Sequence, residues 1–272
     1  MEWAATAAPT RSPRTARRSP WSGRAERPYG TGGLGPAWSP PGPRDGYEPV
    51  TAPNNVPAMR IGVIGTGNVG RALAAAWAAA GHDVVLGSRD PGARKETGAE
   101  LGLPLADVRA AAAGAEVVVN ATPGADSVAL LRASCADVLD GKVLVDIAVG
   151  FTVEPHGFVL THPELSLGEE MQRAFPSARV VKTLSTMDSA AMVAPDALAG
   201  ESTVFLSGDD PAAKAVTAAL LTDLGWPPAS HLDLGGIDTA RGQEHFAHLF
   251  VALAGALGTH TFNVRVVPPA GR

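Results

Sequence analysis

The feature that most limits how this chain can fold is a glycine turn set between an apolar strand and an alanine-rich helix. Arg60-Ile61-Gly62-Val63-Ile64 has the near-continuous apolar character of a strand covered on both faces. Gly65-Thr66-Gly67-Asn68-Val69-Gly70 follows it as G-x-G-x-x-G and opens a helix expected over 69–80. The first glycine suits a tight turn, the second lets backbone approach a pyrophosphate, and the third lets helix and strand pack closely. The amino end of such a helix presents unpaired N–H groups and the positive end of its dipole. Gly65, Thr66, Gly67, Asn68, Val69 and Gly70 are therefore expected to hold the phosphates of a dinucleotide.

The next strand, expected over 83–86, ends in Gly87-Ser88-Arg89. A chain selecting NAD would place an acid about 20 residues past the glycines to bond the ribose 2′-hydroxyl. Here a hydroxyl and a guanidinium stand instead, and both suit a 2′-phosphate, which an acid would repel. Ser88 and Arg89, with Arg94 or Lys95 as a second cation, point to NADP.

The run from Arg60 to Gly70, followed by Leu86-Gly87-Ser88-Arg89, resembles the NADP oxidoreductase family that uses the deazaflavin coenzyme F-420. More distantly it is similar to the NADPH- and FAD-using cytosolic domain of the six-transmembrane ferric reductases. Val180-Val181-Lys182-Thr183-Leu184-Ser185-Thr186-Met187, Phe205-Leu206-Ser207-Gly208-Asp209-Asp210 and Phe262-Asn263-Val264-Arg265 extend the resemblance, in the same order, over nearly all of 59–272. The resemblance implies hydride transfer between NADP(H) and coenzyme F-420, or a flavin such as FAD or FMN. It places Thr183, Ser185, Thr186 and Met187 toward that second redox partner, although many relatives carry Asn where this chain has Ser185. It also implies a carboxy-terminal part that closes over the cofactor pocket and contributes to subunit contact in a homodimer.

The first 58 residues are of another kind. They hold 11 of the 23 prolines and 7 arginines against 4 acids, without apolar periodicity, so a disordered extension is expected there, or a true start at Met59. Beyond them 15 basic residues face 23 acidic ones, which offers no electrostatic case for nucleic acid. A single cysteine, Cys135, excludes an internal disulfide framework and fits a reducing, cytoplasmic setting. No apolar run reaches the roughly 18 to 20 residues that span a bilayer.

From residue 91 the pattern alternates. Helices are expected over 91–101, 106–113, 126–139 and 168–175, and strands over 116–120, 142–147, 179–184 and 203–207. This predicts an α/β Rossmann-type doubly wound parallel sheet over 59–210, with a small, mainly helical part over 211–272. In that part a helix over 211–224, a short strand containing Asp233 and a long helix from about Asp238 are expected. Phe246, Leu249, Phe250 and Leu253 form an apolar face on the long helix. His245 and His248 have no third ligand at convincing spacing, so no metal is expected.

Ligands of doubly wound sheets sit beyond the carboxyl ends of the strands, where strand order reverses. Thr122 and Pro123, and more weakly Ala148, are thereby placed at the nicotinamide end. Hydride exchange between nicotinamide and a flavin-like ring needs stacking and exclusion of water more than a placed acid. A competing reading, reduction of a small carbonyl or imine, needs a proton donor, for which Lys182 and Asp188 are the candidates. Lys182 has the alternative of capping strand-end carbonyls. A third reading is a non-catalytic NADPH-binding sensor.

Overall fold

A computed structural model describes residues 57–155 and 157–269, all within one compact unit, 46–272. The extension expected over 1–58 lies outside these residues apart from Pro57 and Ala58. The first half runs β1 (Arg60–Ile64), α1 (Asn68–Ala79), β2 (Asp83–Ser88), α2 (Lys95–Leu101), β3 (Leu105–Asp107), α3 (Val108–Gly114), β4 (Val117–Asn120), α4 (Gly124–Cys135) and β5 (Val143–Asp146). A hairpin, β6 (Phe151–Glu154) and β7 (Gly157–Leu160), follows. The chain then continues through α5 (Leu167–Ala174), β8 (Arg179–Thr183), α6 (Ser189–Val193), β9 (Val204–Ser207), α7 (Pro211–Asp223), β10 (His231–Gly235) and α8 (Ala240–Leu257).

Eight strands make one sheet in the order β10-β9-β8-β5-β4-β1-β2-β3, and the order reverses between β1 and β4. The expected Rossmann-type sheet is present, with one correction to its direction. β9 pairs with β8 antiparallel, and β10 runs parallel to β9. Returning to a parallel neighbour takes a crossover of a dozen residues or more, usually helical. The longest helix between β8 and β9 is the five-residue α6, which at 1.5 Å per residue is too short to carry the chain back along the sheet. The sheet also crosses the domain boundary expected at residue 210, because β10 adds to its edge.

Two apolar layers cover the sheet, one per face. Leu73, Ala74 and Trp77 of α1 pack with Leu220 and Leu221 of α7 and with Met192 on one side, where the Trp77 indole N–H donates to the Leu220 carbonyl at 3.0 Å. Ala111 and Ala112 of α3, Leu131 and Cys135 of α4 and Met171 of α5 fill the other. Cys135 is buried in this layer, and burial, with Asp137 nearby, pushes its thiol up to about 11. Each fully buried Leu or Ile contributes on the order of 1.5–3 kcal/mol.

Two local expectations change. Residues 105–107 form an edge strand, and the helix expected from 106 starts two residues later, because Asp107 accepts the Ala110 N–H at 2.8 Å and so caps α3. The β6–β7 hairpin was not foreseen at all. Asp90 caps the turn that follows it, accepting from the Ala93 N–H at 3.0 Å. Among the described residues no helix is long and apolar enough to cross a membrane.

Candidate active site

The strand-order reversal opens a crevice at the carboxyl ends of β1 and β4. It has a volume of 680 Å³ and gathers most of the expected cofactor residues: Gly65 to Val69 on one wall, Ser88, Arg89 and Arg94 at one end, and Thr122 and Pro123 at the other. Its walls come from residues far apart in the chain: a Cβ on Gly65 would lie 2.4 Å from the carbonyl oxygen of Ala121.

The three glycines of the turn separate by role. Gly65 has φ +122°, and Gly70 faces the Gly65 carbonyl so closely that a Cβ would sit 2.0 Å from its oxygen. Both serve the fold. Gly67 has an ordinary φ of −77°, and a Cβ there would meet nothing within 4 Å. Its vacancy faces the crevice. Gly70 does not line it.

Helix ends support the same ligand chemistry. α3, α5, α6 and α7 carry side-chain caps from Asp107, Ser166, Asp188 and Asp210. α1 and α4 open at the crevice with Gly67 and Pro123 at the cap position, and neither has a side-chain cap. Their first N–H groups are left for a ligand, and a phosphate satisfies such donors. At the far end Ser88 is buried, while Arg89 and Arg94 are exposed and their guanidinium groups make no hydrogen bond or ion pair among the described residues. Asp90, the acid nearest the expected 2′-phosphate, spends its carboxylate on the Ala93 N–H. The residues present therefore fit NADP(H).

A second cavity of 460 Å³ adjoins the first and shares Val69, Ala121, Thr122 and Pro123 with it. Its remaining wall is Ile147, Ala148, Val149, Phe151, Ser185, Met187, Met192 and the start of α4. Ser185 and Met187, expected toward a second redox partner, line this cavity; Ala148, expected at the nicotinamide end, lines it too and not the larger crevice. Thr183 and Thr186 do not: both are buried, and the Thr183 hydroxyl donates to the Phe205 carbonyl at 2.7 Å. Among the described residues no titratable side chain lines this cavity.

Lys182 and Asp188 lie off it as well. Asp188 caps α6 through the Ala191 N–H at 2.9 Å and accepts from the Thr261 hydroxyl at 3.0 Å. The Lys182 ammonium is fully buried between Asp146 Oδ2 at 2.9 Å and Glu244 Oε1 at 2.8 Å, and its third hydrogen goes to the Ala148 carbonyl. It is a carbonyl cap and an ion-pair centre together, which corrects its candidacy as a catalytic ammonium. Burial penalises the charged lysine, but the Asp146 and Glu244 carboxylates outweigh it and hold its pKa above the ordinary value. Burial pushes the Asp146 carboxyl upward against the pull of Lys182, with the charge of Glu244 adding to the rise. Both directions follow from two carboxylates sharing one cation. Glu244 also accepts the Leu167 and Gly168 N–H groups at 2.8 and 3.1 Å, which ties α8 to the start of α5.

Sequence reasoning missed this network, and it missed Phe151, Met192, Val108, Asp126 and Leu130 in the cavity walls. A signal for the network was present. Asn120 and Asp146 are polar residues closing otherwise apolar buried strands, and such residues are held by partners. His245 bonds the Pro163 carbonyl at 3.1 Å and His248 stacks on Phe158 with ring centroids 4.5 Å apart, so each has a task other than a metal.

Of the apolar face expected on α8, Phe246, Phe250 and Leu253 are half-buried, while Leu249 is 52% exposed. Among the described residues none beyond Met192 lines either cavity.

A Rossmann-type sheet whose glycine turn, uncapped helix ends and unpaired arginines converge at the reversal of strand order defines an NADP-dependent oxidoreductase. The comparisons narrow this class. The profile of the coenzyme F-420-dependent NADP oxidoreductases matches residues 60–150. The solved structure of a proposed F-420-dependent NADP reductase from Arthrobacter sp. FB24 is 46% identical, with a TM-score of 0.74, covering 78% of this chain and 100% of that one. A hypothetical protein, SMa0349, from Sinorhizobium meliloti is 27% identical with a TM-score of 0.56, over 67% of this chain and 87% of its own. The metalloreductase STEAP3 of Rattus norvegicus is 29% identical over 187 residues, which is 69% of this chain and 36% of that longer protein. The chain belongs to the coenzyme F-420-dependent NADP oxidoreductase family.

Proposed function

We propose that this chain passes hydride between NADP(H) and the deazaflavin coenzyme F-420, with NADP(H) in the larger crevice and the acceptor ring in the cavity beside it. The observation that carries this is the shared rim of Val69, Ala121, Thr122 and Pro123, which brings the two ligands edge to edge. Bound NADPH supplies the hydride. The α1 and α4 N–H groups and Gly67 bind its phosphates, Ser88, Arg89 and Arg94 grip the 2′-phosphate, and Thr122 and Pro123 face the nicotinamide. Ile147, Val149, Phe151, Met187 and Met192 exclude water from the acceptor, and Ser185 offers it one hydroxyl. Placement and desolvation supply the rate.

The wall without titratable groups disfavours carbonyl or imine reduction, because both proton-donor candidates are committed to structural contacts. A second copy of the chain packing on the exposed side of α8, around Leu249, Val251 and Leu257, completes this reading as a homodimer. The test is NADPH oxidation followed at 340 nm with F-420, FAD, FMN and a ferric chelate as acceptors. F-420 is expected to give the highest kcat/KM by tenfold or more, and equal or faster turnover with FAD or FMN overturns the assignment. A lack of turnover with every acceptor, with NADPH bound, leaves the sensor reading.

A further inference from the structure

Thr122 lies where the two cavities meet, and the direction of its hydrogen bond can be read from the buried groups behind it. The three ammonium hydrogens of Lys182 are used on Asp146, Glu244 and the Ala148 carbonyl. The second oxygen of Asp146, Oδ1, is met by Asn120 Nδ2 at 2.8 Å and by the Ala148 N–H at 3.3 Å. Every neighbour of this carboxylate is a donor, so the Asn120 amide must turn its NH2 toward Asp146 and its oxygen toward Thr122. That oxygen accepts the Thr122 N–H at 3.3 Å and the Thr122 hydroxyl at 2.7 Å. A threonine hydroxyl has one hydrogen and two lone pairs. With its hydrogen committed to Asn120, Thr122 is an acceptor toward everything else.

We propose that Thr122 is a specificity residue for the nicotinamide carboxamide: its hydroxyl oxygen accepts a hydrogen bond from the carboxamide NH2, with Asn120 and Asp146 as positioning residues that hold it in that sense. This rests on the placement of NADP(H) given above. Ser127 makes the arrangement adjustable. Its hydroxyl stands 2.7 Å from Thr122 Oγ1 and 3.1 Å from the Pro123 carbonyl, and its single hydrogen serves either acceptor. When a carboxamide donates to Thr122, Ser127 turns to Pro123; without that donor it turns back, and Thr122 is not left unpaired.

The discriminating ligand is 3-acetylpyridine adenine dinucleotide phosphate, which keeps the carbonyl acceptor of the carboxamide and replaces its NH2 with a methyl. Were Thr122 a donor, the analogue would bind as well as NADP+. As an acceptor it loses one neutral hydrogen bond, cushioned by Ser127, and the analogue is expected to bind wild type about tenfold more weakly than NADP+. Thr122→Val should bring the two dissociation constants together by weakening NADP+, and Thr122→Ser should restore the difference. Equal binding of both ligands by wild type, or an unchanged ratio in Thr122→Val, overturns the carboxamide assignment while cofactor binding stands. Failure of wild type to bind NADP+ at all overturns the cofactor placement instead. Circular dichroism of the apoproteins and binding of 2′,5′-ADP, which lacks the nicotinamide half, should be alike in all three proteins. A loss of 2′,5′-ADP binding in Thr122→Val would make the residue structural and refute the proposal.

Discussion

Replacing Gly67 by alanine separates ligand binding from folding. The added Cβ meets nothing within 4 Å, and φ −77°, ψ −175° is extended backbone open to any L-residue. Losing glycine at a helix cap costs a few tenths to about 1 kcal/mol, and stiffening the unfolded chain returns about 0.4–1 kcal/mol. The apoprotein should therefore melt within about 4 °C of wild type. For the cofactor, the methyl fills the space over the start of α1 that a phosphate must enter. Forfeiting two charge-assisted bonds of about 1.5–3 kcal/mol each weakens NADPH by more than about a hundredfold. Gly65→Ala and Gly70→Ala are the controls. One forces φ +122° on alanine and a contact of 2.4 Å, the other a contact of 2.0 Å with backbone oxygen. Both should lose about 3 kcal/mol or more of stability, since neither neighbour is a side chain that can swing aside. The assay pairs thermal melting of the apoproteins with fluorescence titration of NADPH. If Gly67→Ala binds NADPH like wild type, or melts as early as Gly70→Ala, the division of labour among the glycines is refuted.

Cofactor choice provides another check. Wild type should bind NADPH at least about tenfold more tightly than NADH, and Arg89→Ala should weaken NADPH by a similar factor while leaving NADH nearly unchanged, measured at fixed ionic strength. A loss shared equally by both cofactors would remove Arg89 from the 2′-phosphate. Lys182→Met tests the buried network. It leaves Asp146 and Glu244 without their cation in a dry interior, and a loss of about 3–5 kcal/mol is expected in chemical denaturation. An enzyme that keeps its stability but loses turnover would return Lys182 to a catalytic role.

Much of the fold was legible in the sequence because it depends on short-range patterns. A buried strand, three glycines at fixed spacing and an alanine-rich helix can be read within about twenty residues, and so can the missing acid after β2. Those patterns direct Gly65 to Val69, Ser88, Arg89, Arg94, Thr122 and Pro123 to one ligand, and all of them line the larger crevice. They also mark where each strand ends, so the rule of the strand-order reversal turned Thr122 into a site residue. The hairpin at 151–160 was missed although Pro155 and Gly157 offer a turn signal between Phe151-Thr152-Val153-Glu154 and Gly157-Phe158-Val159-Leu160, because runs of four residues carry little periodicity, and Phe151 reaches the site only through it.

What the tertiary structure alone decided concerns pairings between distant residues. Asn120 finds Asp146 26 positions on, Asp146 finds Lys182 36 positions on, and Glu244 reaches back to Leu167 across 77. No local periodicity encodes such contacts, because they arise when separate strands are laid side by side and a helix closes over them. The same packing decides that Lys182 is enclosed rather than presented, since a lysine at the end of a strand is a catalytic candidate until α8 brings Glu244 against it. It also sorts the three glycines, which are alike in sequence. Gly65 and Gly70 face backbone and Gly67 faces open space, a difference that exists only once β1, β4 and α1 have met.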